Sequence, residues 1–254
     1  MITGGVDLAS QDPKTALCVI TWSEEEATVD ELKLGVDDGA IAALLRGADK
    51  VGLDVPLGWP ISFARAVGAS LDGSWPESYL HAQNIDYRLR RTDRWLWRTL
   101  KTSPPLSVST DRIALPAMRA AALLSRQRTP VPRDGSATVV EVYPAAALRR
   151  WGFTSRQYKG GENDASRTTL VTTLLYEARA WLRVSPKDVA LCRTSDDAFD
   201  ALVCALVARA AAISLVEEIP PEEHWAAKSE GWIALPLEGS FGRLSHSEGT
   251  TAPR

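Results

Sequence analysis

The chain has 254 residues, 45% of them hydrophobic and 24% charged, and a formal net charge of −3. That length and composition are ordinary for a soluble globular protein with a sizeable core. The longest apolar stretch, within 201–216, is too short and too Ala-rich for a membrane span. Charge is unevenly spread: between His81 and Arg133, eleven Lys and Arg stand against three Asp and Glu. This suggests a basic face on an otherwise acidic molecule.

The opening run Ile2-Thr3-Gly4-Gly5-Val6-Asp7 reads as a first strand that carries an Asp, a residue type depleted in strands because it competes for the backbone. Asp12-Pro13 marks a tight turn. Residues 16–22 and 27–34 are two further strands, so the first three form an antiparallel meander. Asp37 and Asp38 precede a short helix over 40–46, where the helix dipole favours acids. Strand four spans 50–55, contains Asp54 near its end and is stopped by Pro56.

Residues 56–137 read as an insertion rich in Pro, Trp, Ser and Arg, with helical pieces over 79–91, 93–101 and 115–126. The β-branched run 137–143 predicts strand five, with Glu141 inside it. A long amphipathic helix is predicted over 163–183, because Leu170, Leu174, Leu175, Ala178 and Leu182 recur at helical spacing. Ser195 is an N-cap for a last helix over 196–217. A short edge strand over 231–235 and a flexible tail over 241–254 close the chain. The expected fold class is α/β: a mixed five-stranded sheet, three antiparallel strands and then parallel ones, flanked by helices in a single domain over 1–240. Cys18, Cys192 and Cys204 lie in apolar contexts without ligand spacing, and no signal-peptide pattern precedes the first strand. Both features point to a cytoplasmic protein with buried thiols.

Asp7, Asp54, Glu141 and the Asp196-Asp197-x-x-Asp200 segment come from four different elements. If strands one and four are parallel neighbours, their carboxyl ends lie side by side, where open α/β sheets place ligands. Clustered carboxylates in a partly dry crevice stay ionised only beside a cation, and hard oxygen donors suit Mg²⁺ or Mn²⁺. Two such ions about 3.5–4 Å apart clamp a phosphodiester. Blander readings compete. Asp196 and Asp197 in a first helical turn would each contribute about 0.3–1 kcal/mol through the dipole alone, and Glu141 would simply bond a neighbouring Arg. The Arg88 to Arg98 run, with Trp95 and Trp97, suits phosphate contacts and base stacking, with Arg88 and Arg94 among the candidates. It equally suits a helix with a solvated Arg face. His81, His224 and His246 show no ligand spacing, and Gly4-Gly5 is not a phosphate-cradling loop.

The element order and the acids of Gly5-Val6-Asp7, Leu53-Asp54 and Asp197-x-x-Asp200-Ala201-Leu202 resemble the RNase H-like fold, nearest to the RuvC-type resolvase arrangement. More narrowly, Leu53-Asp54-Val55-Pro56-Leu57, Arg91-Thr92-Asp93, Glu141-Val142-Tyr143-Pro144-Ala145 and Glu230-Gly231-Trp232-Ile233 are similar to an uncharacterised family of predicted RNase H-fold nucleases, domain of unknown function family 429. The resemblance implies a metal-dependent nuclease acting on DNA or RNA. It implies Asp7, Asp54 and Asp200 as metal ligands, Asp197 or Glu141 completing the shell, and Arg91 and Asp93 as a paired element of the site. In the resolvases the strand-four acid is a Glu, whereas here it is the shorter Asp54, and the large insertion has no counterpart in the minimal fold. Two other readings stay open. One is a nucleotide-binding phosphotransferase or ATPase of the sugar-kinase/actin type, which normally duplicates the fold over a longer chain. The other is a catalytically silent module that binds nucleic acid or protein.

Overall fold

The computed structural model describes residues 1–24, 26–76, 85–154 and 157–245. Strands β1 (Ile2–Asp7), β2 (Ala16–Trp22) and β3 (Ala27–Leu34) form the antiparallel meander. Helix α1 (Asp38–Gly47) follows, capped by the Asp37 carboxylate, which accepts the Ala40 N–H. Strand β4 (Lys50–Asp54) pairs parallel to β1, with Gly5 opposite Gly52 and Asp7 opposite Asp54. Strand β5 (Val139–Glu141) pairs parallel to β4. The fold is thus the α/β mixed sheet expected, but with six strands rather than five. The extra strand, β6 (Leu182–Arg183), runs parallel to β3 at the far edge, giving the order β5-β4-β1-β2-β3-β6.

Between β4 and β5 lie α2 (Ile61–Ser70), α3 (Ile85–Arg88), α4 (Arg91–Leu100) and α5 (Ala114–Ser125). The expected helix over 79–91 lies partly outside the described residues. What is seen of it breaks between α3 and α4, where Arg90 takes an extended N-cap conformation. Helices α6 (Pro144–Arg150), α7 (Asp164–Ala178), α8 (Pro186–Thr194), α9 (Asp196–Ala212) and α10 (His224–Glu230) complete the chain. No helix among the described residues is long and apolar enough to cross a membrane.

Two helices stop short of their periodicity, and two expected elements after them differ as well. Helix α7 stops at Ala178, because Trp181 gives its carbonyl to the Ala27 N–H and stacks on Trp22, and this turns Leu182 onto the sheet edge. Helix α9 stops at Ala212, ahead of Ser214 at φ 56, and Val216 instead bridges to Pro236. The expected edge strand over 231–235 is reduced to an isolated bridge between Ile233 and Glu141. The expected tail is also ordered at its start: Phe241–Ser245 is a 3₁₀ turn that buries Phe241 and Leu244, with Phe241 packed on Trp151 and Trp181. Residues 246–254 lie outside the described set.

Helices α1 and α5 cover one face of the sheet, and α9 crosses β1, β2 and β4 on the other. Every residue of α9 from Ala198 to Ala210 is buried. Glycine sets this contact. A Cβ on Gly5 would come within 2.0 Å of the Ala201 carbonyl oxygen, and one on Gly52 within 2.4 Å of the Cys204 carbonyl oxygen. Side chains alternate along a strand, so Asp7 shares the α9 face with Gly5, and Asp54 shares it with Gly52. Two strand residues advance about 6.6 Å, and four or five helical residues about 6–7.5 Å. A helix seated on the glycines at Ala201, Cys204 and Ala205 therefore carries Asp200 to the level of the two strand acids.

Gly5→Ala and Gly52→Ala are each expected to destabilise the fold by about 2 kcal/mol or more, since a backbone rather than a flexible side chain must yield. Gly68→Ala in α2, where a Cβ meets nothing within 4 Å, is expected to be neutral or to gain up to about 1 kcal/mol from helix propensity. Urea denaturation of the three variants checks the contrast.

Candidate functional site

Asp7, Asp54 and Asp200 each bring one carboxylate oxygen into a group whose members all lie within 4.8 Å of one another. Asp7 and Asp54 line a pocket of about 450 Å³, whose walls include Leu106, Ile113, Tyr143 and Lys159. Asp200 is fully buried behind them. Its Oδ1 accepts the Tyr158 hydroxyl at 2.7 Å, and its Oδ2 pairs with Lys159 Nζ at 2.5 Å. Lys159 Nζ also stands 3.7 Å from Asp54 Oδ2. The Asp7 carboxylate accepts no hydrogen bond and forms no ion pair among the described residues.

Burial, reinforced by Asp54 and Asp200, holds the Asp7 carboxyl well above the ordinary carboxylate range. Burial pushes Asp54 up to about 7, with Lys159 opposing the shift and Asp200 adding to it. Asp200 is raised by burial despite the counter-pull of Lys159 and Tyr158. For Lys159, burial works against the charge, but Asp200 and Asp54 outweigh it and hold the ammonium well above its usual value. All three carboxyls are therefore harder to ionise than free ones, even with Lys159 beside them.

The other acids expected at the site are placed differently. Glu141 does not belong to the carboxylate trio. Its two oxygens take Arg90 Nη1 and Nη2 at 2.8 and 2.6 Å, and it also accepts the Leu57 N–H at 2.9 Å. Asp93 grips the same guanidinium and accepts the Arg90 N–H. Asp197 is half-buried outside the trio, its carboxyl raised by burial and by Asp196. Arg91 pairs with Glu223 at 2.6 Å, and Arg94 pairs with Asp86. Neither of these, nor the exposed Arg88, lines the pocket. The arginine that does border it from this run is Arg90, buried and fully engaged, and a second, Arg112, comes from the loop before α5.

Arg90 therefore ties α4 to β5. It also reaches the Glu230 carbonyl at 3.3 Å, while the Glu230 carboxylate accepts the N–H groups of Ile61 and Arg91. Thr92 Oγ1 accepts the Ile233 N–H. The segments around Arg91-Thr92-Asp93, Glu141 and Glu230-Gly231-Trp232-Ile233 thus meet in one buried network that forms a wall of the pocket. Lys159 and Arg90 were not singled out from sequence. Lys159 sits in no periodic element, and nothing in a run of arginines marks which one is buried.

A mixed α/β sheet with acids converging at the ends of two parallel strands defines the general class of the protein. The chain belongs to the family described as protein of unknown function (DUF429), whose profile matches residues 5–224. Comparison with curated proteins and with solved structures gives no match.

Two outcomes are expected. Removing one partner of a buried ion pair strands the other charge, so Glu141→Gln is expected to lose about 3 kcal/mol in chemical denaturation. The second concerns pH. An acid whose folded-state pKa is raised from about 3.9 to about 7 contributes stability that is complete below about pH 4 and is lost as pH rises through about 7. The metal-free protein is therefore expected to melt at progressively lower temperature between about pH 5 and pH 8, and Asp54→Asn to flatten that slope. Thermal melts across the range read both.

Proposed function

We propose that this protein is a divalent-metal-dependent phosphodiesterase that hydrolyses nucleic acid. The observation that carries the reading is the approach of Asp7, Asp54 and Asp200 to within 4.8 Å at the mouth of two parallel strands. Like charges this close in a buried crevice call for a cation, and an all-carboxylate donor set fits Mg²⁺ or Mn²⁺. The fit is supported by Asp7, whose carboxylate faces the pocket without a partner among the described residues. We read the placement of the acids, on the first strand, the fourth strand and the last helix before α10, as RNase H-like. Asp7, Asp54 and Asp200 are the residues that would hold the ion.

Once bound, the ion would supply Lewis-acid polarisation of a phosphoryl oxygen and acidify a water. The chain itself does the rest. Asp7 and Asp54 fix the ion at the strand ends, and Tyr158 and Lys159 orient Asp200. Leu106, Ile113 and Pro116 give the pocket an apolar side. Arg112 supplies positive charge at the pocket for a phosphate. Support for nucleic acid as the substrate comes from Arg112 at the pocket and from the family resemblance.

One observation favours a second reading. Lys159 already neutralises part of the cluster without any metal, as a catalytically silent binding module would require. The two separate in a single assay with labelled single- and double-stranded DNA and RNA, with Mg²⁺ or Mn²⁺. Cleavage is expected, lost on chelation and reduced to background by Asp7→Asn with an unchanged circular dichroism spectrum. Salt-dependent binding without cleavage, indifferent to metal and to Asp7→Asn, would instead establish the silent module.

A further inference from the structure

We propose that Lys159 is the second cation of this centre, so that the site holds one divalent ion, between Asp7 and Asp54, where a two-metal site would hold two. The inference rests on the metal reading above and divides its donor set. Asp200 Oδ1 accepts the Tyr158 hydroxyl at 2.7 Å, and its Oδ2, buried without a hydrogen-bond partner, is ion-paired to the Lys159 ammonium at 2.5 Å. Asp54 stands 3.7 Å from that ammonium, at its edge, whereas Asp7 feels its charge but makes no ion pair with it among the described residues. The cluster thus has a side occupied by the chain's own positive charge and a side open to the pocket. Charge agrees with this division. Three carboxylates are neutralised by one ammonium and one divalent ion, whereas the ammonium with two such ions would leave an excess of two positive charges at the cluster.

Lys159 is held there by construction. The backbone on either side of it is strapped to the end of α8 by Arg167, which is only 1% exposed. Its guanidinium donates to the carbonyls of Tyr158 at 2.9 Å and Gly160 at 3.1 Å. It also donates to those of Arg193 at 3.0 Å and Thr194 at 3.3 Å, just ahead of α9. The Gly160 N–H adds a bond to the Asp196 carboxylate at 3.1 Å, and Gly160 itself takes φ 87, a conformation that glycine adopts freely. A buried arginine spends four carbonyl contacts fixing a three-residue segment whose central side chain reaches into the acid cluster. Lys159 also lines the pocket beside Asp54. Lys159 would therefore share the pocket with a phosphate bound there, and would supply positive charge to it.

The test is Mn²⁺ stoichiometry on the full chain, read by electron paramagnetic resonance of free Mn²⁺ and by calorimetry. The wild type is expected to bind one Mn²⁺ per chain. Lys159→Met is expected to bind two, Lys159→Arg to keep one, and Asp54→Asn to lose the ion. Two Mn²⁺ on the wild type, or an unchanged single ion on Lys159→Met, overturns the inference while leaving the metal reading intact. No Mn²⁺ on either the wild type or Lys159→Met overturns the metal reading and the inference together.

Discussion

The contact on which the site depends is the seating of α9 on a pair of glycines. Gly5 and Gly52 face each other across β1 and β4, and the helix backbone lies where their side chains would be. This is a packing constraint, but its consequence is electrostatic. Each glycine is followed two residues later by an Asp on the same face, and the close approach of the helix lets Asp200 join that pair. Any larger residue at either glycine would lift the helix, and the carboxylates would separate along with the core. The burial of the cluster follows from the same contact, and burial is the first cause of the raised carboxyls at Asp7, Asp54 and Asp200.

Two charge systems flank the pocket, and they differ in kind. Around Arg90, each donor meets a carboxylate or carbonyl, and the network joins α4, β5, α10 and the loop after β4. Such a fully satisfied network specifies one arrangement of the elements it joins. Around Asp7, the negative charge exceeds its partners. The first system holds the wall of the pocket in place. The second has a charge imbalance that a cation would relieve, and so is suited to act on something that enters.

Much of this was legible in the chain. Asp7 and Asp54 could be placed side by side because strand character ended in a carboxylate twice, and Asp200 through the resemblance carried by Asp197-x-x-Asp200-Ala201-Leu202. Glu141 and Asp93 are also acids of the pocket lining, but the structure holds both against Arg90. Whether a carboxylate is free or bound to Arg90 depends on a contact spanning 51 residues between Arg90 and Glu141, which local pattern does not encode. Lys159 was hidden for a similar reason. Its position is set by Arg167, whose carbonyl partners at Tyr158, Gly160, Arg193 and Thr194 no helical pattern specifies. At β6, a strand pairing and the Trp22–Trp181 stack overrode a helical period that the leucines alone supported.

The central claim is that the open side of the carboxylate cluster is a metal site. A crystal of the full chain soaked in Mn²⁺ and measured at an anomalous wavelength tests it most directly. The account predicts a single anomalous peak in contact with Asp7 and Asp54, with Lys159 still paired to Asp200. No peak at the cluster, with Mn²⁺ found only at other surface carboxylates, would contradict it.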